Sequence, residues 1–164
     1  MEGHVLVKKL LSADNRRRSY RDNSQVYRKS RQVMIVNKAY RYRIYPTTEQ
    51  KMMFAKTFGC VRFIYNKMLS DRIDYYKETG KKLHNTPAQY KEEFPWLKEV
   101  DSLALANAQM NLNKAYSHFW KDSQHFGKPR FKSKKNSRAS YSTNNQKGSV
   151  RIEGHKVKLP KIGG

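Results

Sequence analysis

VNKAYRYRIYPTTEQ, residues 36–50, decides the fold, because it changes from one regular structure to another within a few positions. Its first part interleaves Tyr40, Tyr42 and Ile44 with the cations Lys38, Arg41 and Arg43. Aromatic and β-branched residues suit a pleated strand, and alternation places Arg41 and Arg43 on one face of it. Pro46 ends that strand, which is expected over residues 36–45. Thr47 then stands three positions before Gln50, the spacing of a capping box that opens a helix.

Downstream, the chain reads as helical up to about residue 126. A first helix is expected to end near Phe58, where Gly59 breaks it, and a second to run from Cys60 to Thr79 and stop at Gly80. Val61, Ile64, Tyr65 and Met68 fall at i, i+3, i+4 and i+7, the spacing of one buried face. Thr86-Pro87 opens a short third helix, since proline is tolerated at the first helical position. Phe94 to Leu97 form a turn. Ser102 is expected to cap a long helix reaching Phe126, with Leu105, Leu112, Ala115, Tyr116 and Phe119 along one stripe.

After Gly127 the pattern is extended again. A strand is expected over residues 139–144, then a hairpin of residues 150–153 and 156–159 turning at Gly154-His155. One strand, a helical insertion and several further strands make an α+β chain, a small β-barrel interrupted by helices. The organisation expected is a flexible basic extension over 1–33, a first barrel strand over 34–46, a helical lobe over 47–126, a basic loop over 127–138 and barrel strands over 139–164. Met34 is a second plausible start.

Thirty-five Lys and Arg against 13 Asp and Glu give a net charge of +22 on 164 residues. Such an excess repels itself unless a polyanion neutralises it, and phosphate backbones do so with release of counterions. No apolar run approaches the ~20 residues of a membrane-spanning helix, and no membrane partner is expected. One cysteine, Cys60, excludes an internal disulfide and a paired-cysteine zinc site, and its apolar setting predicts a buried thiol.

Catalytic constellations are sparse. Asp71 and Asp74, at i and i+3, are expected to make solvated ion pairs rather than hold a metal. The histidines at 4, 84, 118, 125 and 155 are scattered, and there is no glycine-rich phosphate loop. No active site, cofactor or small-molecule ligand is expected. Residues 126–138, FGKPRFKSKKNSR, carry six cations and two aromatics in 13 positions. Lys128, Arg130, Lys132, Lys134 and Lys135 reach phosphates in this reading, while Phe126 and Phe131 stack on bases or anchor the loop.

Six stretches occur in order: NKAYRYRIYPTTEQ, FGCVRFIYNKML, PWLKEVDSLAL, FGKPRFKSKK, SYSTNN and KLPKIG. Together, from Met34 onward, they resemble the N-terminal region of the TnpB/OrfB family of insertion-sequence proteins, RNA-guided DNA endonucleases of mobile elements. The resemblance implies a wedge-type barrel interrupted by a helical recognition lobe, often described as starting with a helix-turn-helix. It implies structured guide RNA and DNA as partners, and a cytoplasmic protein, nucleoid-associated when DNA-bound. By position Arg41, Arg43, Lys128, Arg130 and Lys132 resemble backbone contacts. Ser102, Leu103, Thr143 and Asn144 lie where the family reads its target-adjacent motif. Ala106 stands where many relatives carry glutamine. In the family the RuvC-like carboxylates and the four-cysteine zinc ribbon follow KLPKIG, so the expectation is a truncated, non-cutting, nucleic-acid-binding chain. Two alternatives stand beside it: a partly folded product of a decayed gene, and a freestanding helix-turn-helix regulator. The apolar second helix of the pair is a poor groove reader.

Overall fold

The computed structural model describes residues 3–12 and 35–40 as strand backbone, and residues 41–135 and 139–162 with their side chains. Two units emerge, residues 1–46 and residues 47–164.

The first unit is an antiparallel hairpin of β1 (Gly3–Ser12) and β2 (Ile35–Ile44), in a register that pairs Gly3 with Ile44 and Ser12 with Ile35. β2 is the strand expected from its alternation, moved by one residue. β1 falls within residues 1–33, where the sequence reading expects a flexible basic extension. Its GHVLVKKLLS composition, rich in valine and leucine, supports a strand once a partner supplies the ladder hydrogen bonds. That partner lies far along the chain, so no local signal announced it. Arg16, Arg17 and Arg18, the most basic run of that expected extension, and Met34 lie outside the described residues.

The second unit is built on α1 (Thr48–Thr79), a single helix of 32 residues. The expected capping box is present. The Thr47 amide donates to Gln50 Oε1 at 3.0 Å and the Gln50 amide donates to Thr47 Oγ1 at 3.3 Å. The expected C-cap is also present: Gly80 has φ 67° and its amide donates to the Tyr76 carbonyl. The break at Gly59 is absent. A mid-helix glycine costs about 1 kcal/mol against alanine, and the buried stripe Cys60, Val61, Ile64, Tyr65, Met68 and Leu69 outweighs that cost.

After α1, α2 (Tyr90–Glu93) is one turn long and starts later than Thr86-Pro87 predicts. Pro87, Ala88 and Gln89 form a turn instead, in which the Tyr90 amide donates to the Pro87 carbonyl. A 3-10 turn (Pro95–Lys98) delivers Leu97 and Val100 to the core. The long helix α3 (Ser102–Lys121) is capped by Asp101, not Ser102, and ends five residues before Phe126. The Asp101 backbone takes the extended conformation of a cap, φ −61° and ψ 121°, and its carboxylate accepts from the Leu103 amide.

α3 lies on α1. Ala104, Leu105, Ala108 and Leu112 meet Ile64, Met68 and Leu69 in one buried cluster. The two alanines let the helix backbones approach. Each fully buried large side chain contributes about 1.5–3 kcal/mol relative to exposure. Ala115, Tyr116 and Phe119, expected on the same stripe, are only half-buried.

Residues 139–144 are not a strand. They run as irregular chain held to the helices by Tyr141, whose ring packs 5.9 Å from Phe58 and 6.4 Å from Phe54. The last hairpin forms as expected, from β3 (Arg151–Glu153) and β4 (Lys156–Lys158). Its two-residue turn has positive φ at Gly154 alone of the central pair, as in a type II′ turn. The described strands thus make two separate two-stranded sheets, and the fold is a mixture of helix and strand.

Candidate nucleic-acid interface

The basic segment begins where α3 ends. Asp122 terminates that helix, and its carboxylate accepts from the His125 amide at 3.1 Å and contacts His125 Nδ1 at 2.7 Å. These bonds hold the Asp122 carboxyl below the usual carboxylate range. Phe126 packs against His118 with ring centroids 5.0 Å apart, while remaining about half exposed.

From residue 128 to residue 135 the chain has no helix or strand, but it is not loose. Asn66, on α1, grips the backbone of Lys132 twice: its Nδ2 donates to the Lys132 carbonyl at 2.9 Å, and its Oδ1 accepts from the Lys132 amide at 2.8 Å. A primary amide matches a peptide group donor for acceptor, so this clamp sets both the position and the facing of the segment. The Lys132 side chain turns inward and places Nζ 4.3 Å from the centroid of the Tyr65 ring. Burial pushes its ammonium pKa down. Lys132 therefore anchors the segment through a cation–π contact. Around it Lys128, Arg130, Phe131, Lys134 and Lys135 are exposed. Asn66 carries no chemical signature in sequence. It looks like any polar residue on a helix surface, and its partner lies 66 residues away.

A second group gathers at the start of α3. Asp101 is buried, with one carboxylate oxygen on the Leu103 amide at 3.0 Å and the other accepting from the Thr143 hydroxyl. This single side chain brings Ser102, Leu103 and Thr143 together. Ser102 is exposed and its Oγ lies 2.9 Å from Lys91 Nζ, and Leu103 and Thr143 are half-buried. Asn144 is exposed beside them in sequence. Tyr141 secures the incoming chain. Burial, with Asp101's charge nearby, pushes its phenol up to about 12.

Arg41 and Arg43 are exposed on β2, in the 1–46 unit. Tyr42 between them is also exposed. Asp71 and Asp74 make the ion pairs expected of them, with Lys67 at 2.9 Å and Lys77 at 3.3 Å, and Asp71 also accepts from the Tyr90 hydroxyl. Cys60 is a buried free thiol, as its setting predicts. Among the described residues, no three His, Cys, Asp or Glu side chains gather as a metal site would require. No helix among them is long and apolar enough to cross a membrane.

Residues 34–81 match the profile of the OrfB-type helix-turn-helix domain. A Streptomyces pristinaespiralis protein named "Putative RNA-guided DNA endonuclease" is 38% identical over 112 residues, covering 64% of this chain. The virulence protein VsdF of Salmonella dublin is 34% identical over 107 residues, and the chain covers 88% of it. This chain belongs to the TnpB/OrfB family. It corresponds to the family's N-terminal part and spans 27% of the length of the Streptomyces relative. The matched profile is described as helix-turn-helix, but in this family member residues 34–81 hold the strand β2 and one unbroken helix.

Proposed function

We propose that these residues are the nucleic-acid-gripping part of a TnpB/OrfB-type RNA-guided DNA endonuclease, binding rather than cutting. The supporting observation is the clamp of Asn66 on Lys132, which presents Lys128, Arg130, Lys134 and Lys135 outward from a pinned backbone. A solvated basic linker has no need of such anchoring. Cations on a pre-ordered backbone meet phosphates with less ordering cost on binding. In this reading Arg41 and Arg43 add phosphate contacts. Ser102, Leu103, Thr143 and Asn144, organised by Asp101, face the target-adjacent motif. β2, β3 and β4 belong to a wedge-type barrel, and guide RNA and DNA are the partners. The protein works in the cytoplasm, on the nucleoid when bound to DNA.

The test is filter binding of the full chain to structured RNA and to duplex DNA across a salt series. Tight, salt-sensitive binding that weakens in a combined K128Q, R130Q, K134Q and K135Q variant is expected. An affinity untouched by those four substitutions would reject the segment as the grip.

A freestanding helix-turn-helix regulator is the rival that the matched profile suggests. The geometry of α1 weighs against it. The part of α1 beyond Gly59, which would have to enter a major groove, buries Cys60, Val61, Ile64, Tyr65, Met68 and Leu69 against the protein.

A further inference from the structure

Towards the C-terminal ends of α1 and α3, two aromatic rings stack on each other with a cation at either end. Trp120 lies on Tyr116, with centroids 5.2 Å apart and planes 27° from parallel. Lys82 Nζ stands 3.9 Å from the Trp120 centroid, and the Arg72 guanidinium lies 5.8 Å from that of Tyr116. Trp120 is nevertheless 55% exposed. That exposure leaves the indole within reach of a flat ligand from solution.

The surroundings hold this stack in place. Arg72 is tied at both sides, Nε donating to Asn85 Oδ1 at 2.7 Å and Nη1 donating to Asn113 Oδ1 at 2.8 Å. Asn85 is buried and also donates to the Met68 carbonyl and the Tyr90 hydroxyl, and its own carbonyl accepts from Gln109. The left-handed Gly80 turns the chain out of α1, and Asn85 pins it again five residues later. Lys82, exposed between the two, is carried to the indole.

From this geometry we infer that Trp120, backed by Tyr116 and flanked by Lys82, is a stacking platform for an unpaired base of a single-stranded nucleic acid. The inference rests on the nucleic-acid-binding reading of the chain and names a strand chemistry and a place for it. A base takes the position of the Lys82 ammonium over the indole, and the flexible lysine moves to the adjacent phosphate. Every base has a π face, so such a platform tolerates any sequence, and only unpaired strands can offer one. A duplex keeps its bases stacked on one another, which makes Trp120 indifferent to it.

The full-length chain is titrated with short oligo-uridine RNA, oligo-thymidine DNA and a DNA duplex. Trp120 emission should be quenched by either single strand, with Trp96 as an unmoved background, and stronger quenching by one strand assigns RNA or DNA. W120A should weaken single-strand binding about tenfold, within the range that stacking on one aromatic ring supplies. W120F should retain most of the affinity, and duplex binding should be unchanged in both variants. Circular dichroism identical to the wild type excludes misfolding as the cause. Single-strand affinity unchanged in W120A, or an equal loss on duplex, overturns the inference. If K128Q, R130Q, K134Q and K135Q abolish binding while W120A does nothing, this inference fails alone. If the wild-type chain binds no nucleic acid, both readings fail together.

Discussion

Asn66 and Tyr141 hold the irregular chain after α3 against α1, Asn66 through the Lys132 backbone and Tyr141 through Phe54 and Phe58. Removing the Asn66 amide leaves the Lys132 amide and carbonyl without their partner, in a partly buried place. N66A should therefore cost about 1–3 kcal/mol in urea unfolding and speed hydrogen exchange at the Lys132 amide. Unchanged exchange there would show that the clamp is not maintained in solution. Tyr141 should ionise near pH 12 instead of its ordinary 10.0, readable by ultraviolet difference titration against Y141F. Burial also raises Tyr90, helped by its hydrogen bond to Asp71. Both phenols hold their proton more tightly when folded, so the stability they contribute is complete below pH 10.0 and declines as pH rises towards 12. Alkaline unfolding should begin in that window and move to higher pH in Y141F. These residues show the limits of local reading. Thr47 and Gln50 cap α1 within four positions and were legible at once. Asp101 and Ser102 are both competent caps, and the choice of Asp101 is tied to Thr143, 42 residues away.

Among the elements, α1 is where propensity and packing disagreed. Gly59 argues for a turn when only its neighbours are read, yet apolar positions continue the helical period on its far side. Ile64, Met68 and Leu69 need α3 opposite them, and no window around Gly59 contains α3. An alanine Cβ at Gly59 would meet nothing within 4 Å. G59A should thus stabilise the chain by about 0.5–1 kcal/mol in thermal unfolding, whereas a turn at that position would make the same change harmful. G80A is the contrasting case, because alanine at φ 67° is strained, and a loss of about 1 kcal/mol is expected. D101A removes a helix cap and leaves the Thr143 hydroxyl unpaired, for an expected loss of about 1–3 kcal/mol. Faster exchange at the Leu103 amide would locate that loss at the start of α3. β1 illustrates the same limit in a strand. Its valines and leucines were visible, but its partner begins at Ile35, and long-range pairing leaves no local trace.

For the whole molecule, a charge of +22 should appear as a steep dependence of binding on salt. Each phosphate contact contributes a slope of about 0.7–0.9 in log affinity against log salt. Replacing Lys128, Lys134 and Lys135 together by glutamine should lower the slope by about 2 to 3. If affinity fell with no change of slope, those lysines would be acting on the fold rather than on phosphate. The family was legible from ordered motifs, and three of the six supply long-range contacts: FGCVRFIYNKML supplies Asn66 and Tyr65, PWLKEVDSLAL supplies Asp101, and SYSTNN supplies Tyr141 and Thr143. The missing turn at Gly59 has a further meaning. Thirty-two residues of unbroken helix make a strut about 48 Å long. One residue inserted in it ahead of Asn66 would advance everything beyond by about 1.5 Å and rotate it by about 100°, carrying Asn66 away from Lys132 and Arg72 away from Tyr116. Single side chains on the surface of α1 can be exchanged one contact at a time, but the helix cannot change its count without moving them all.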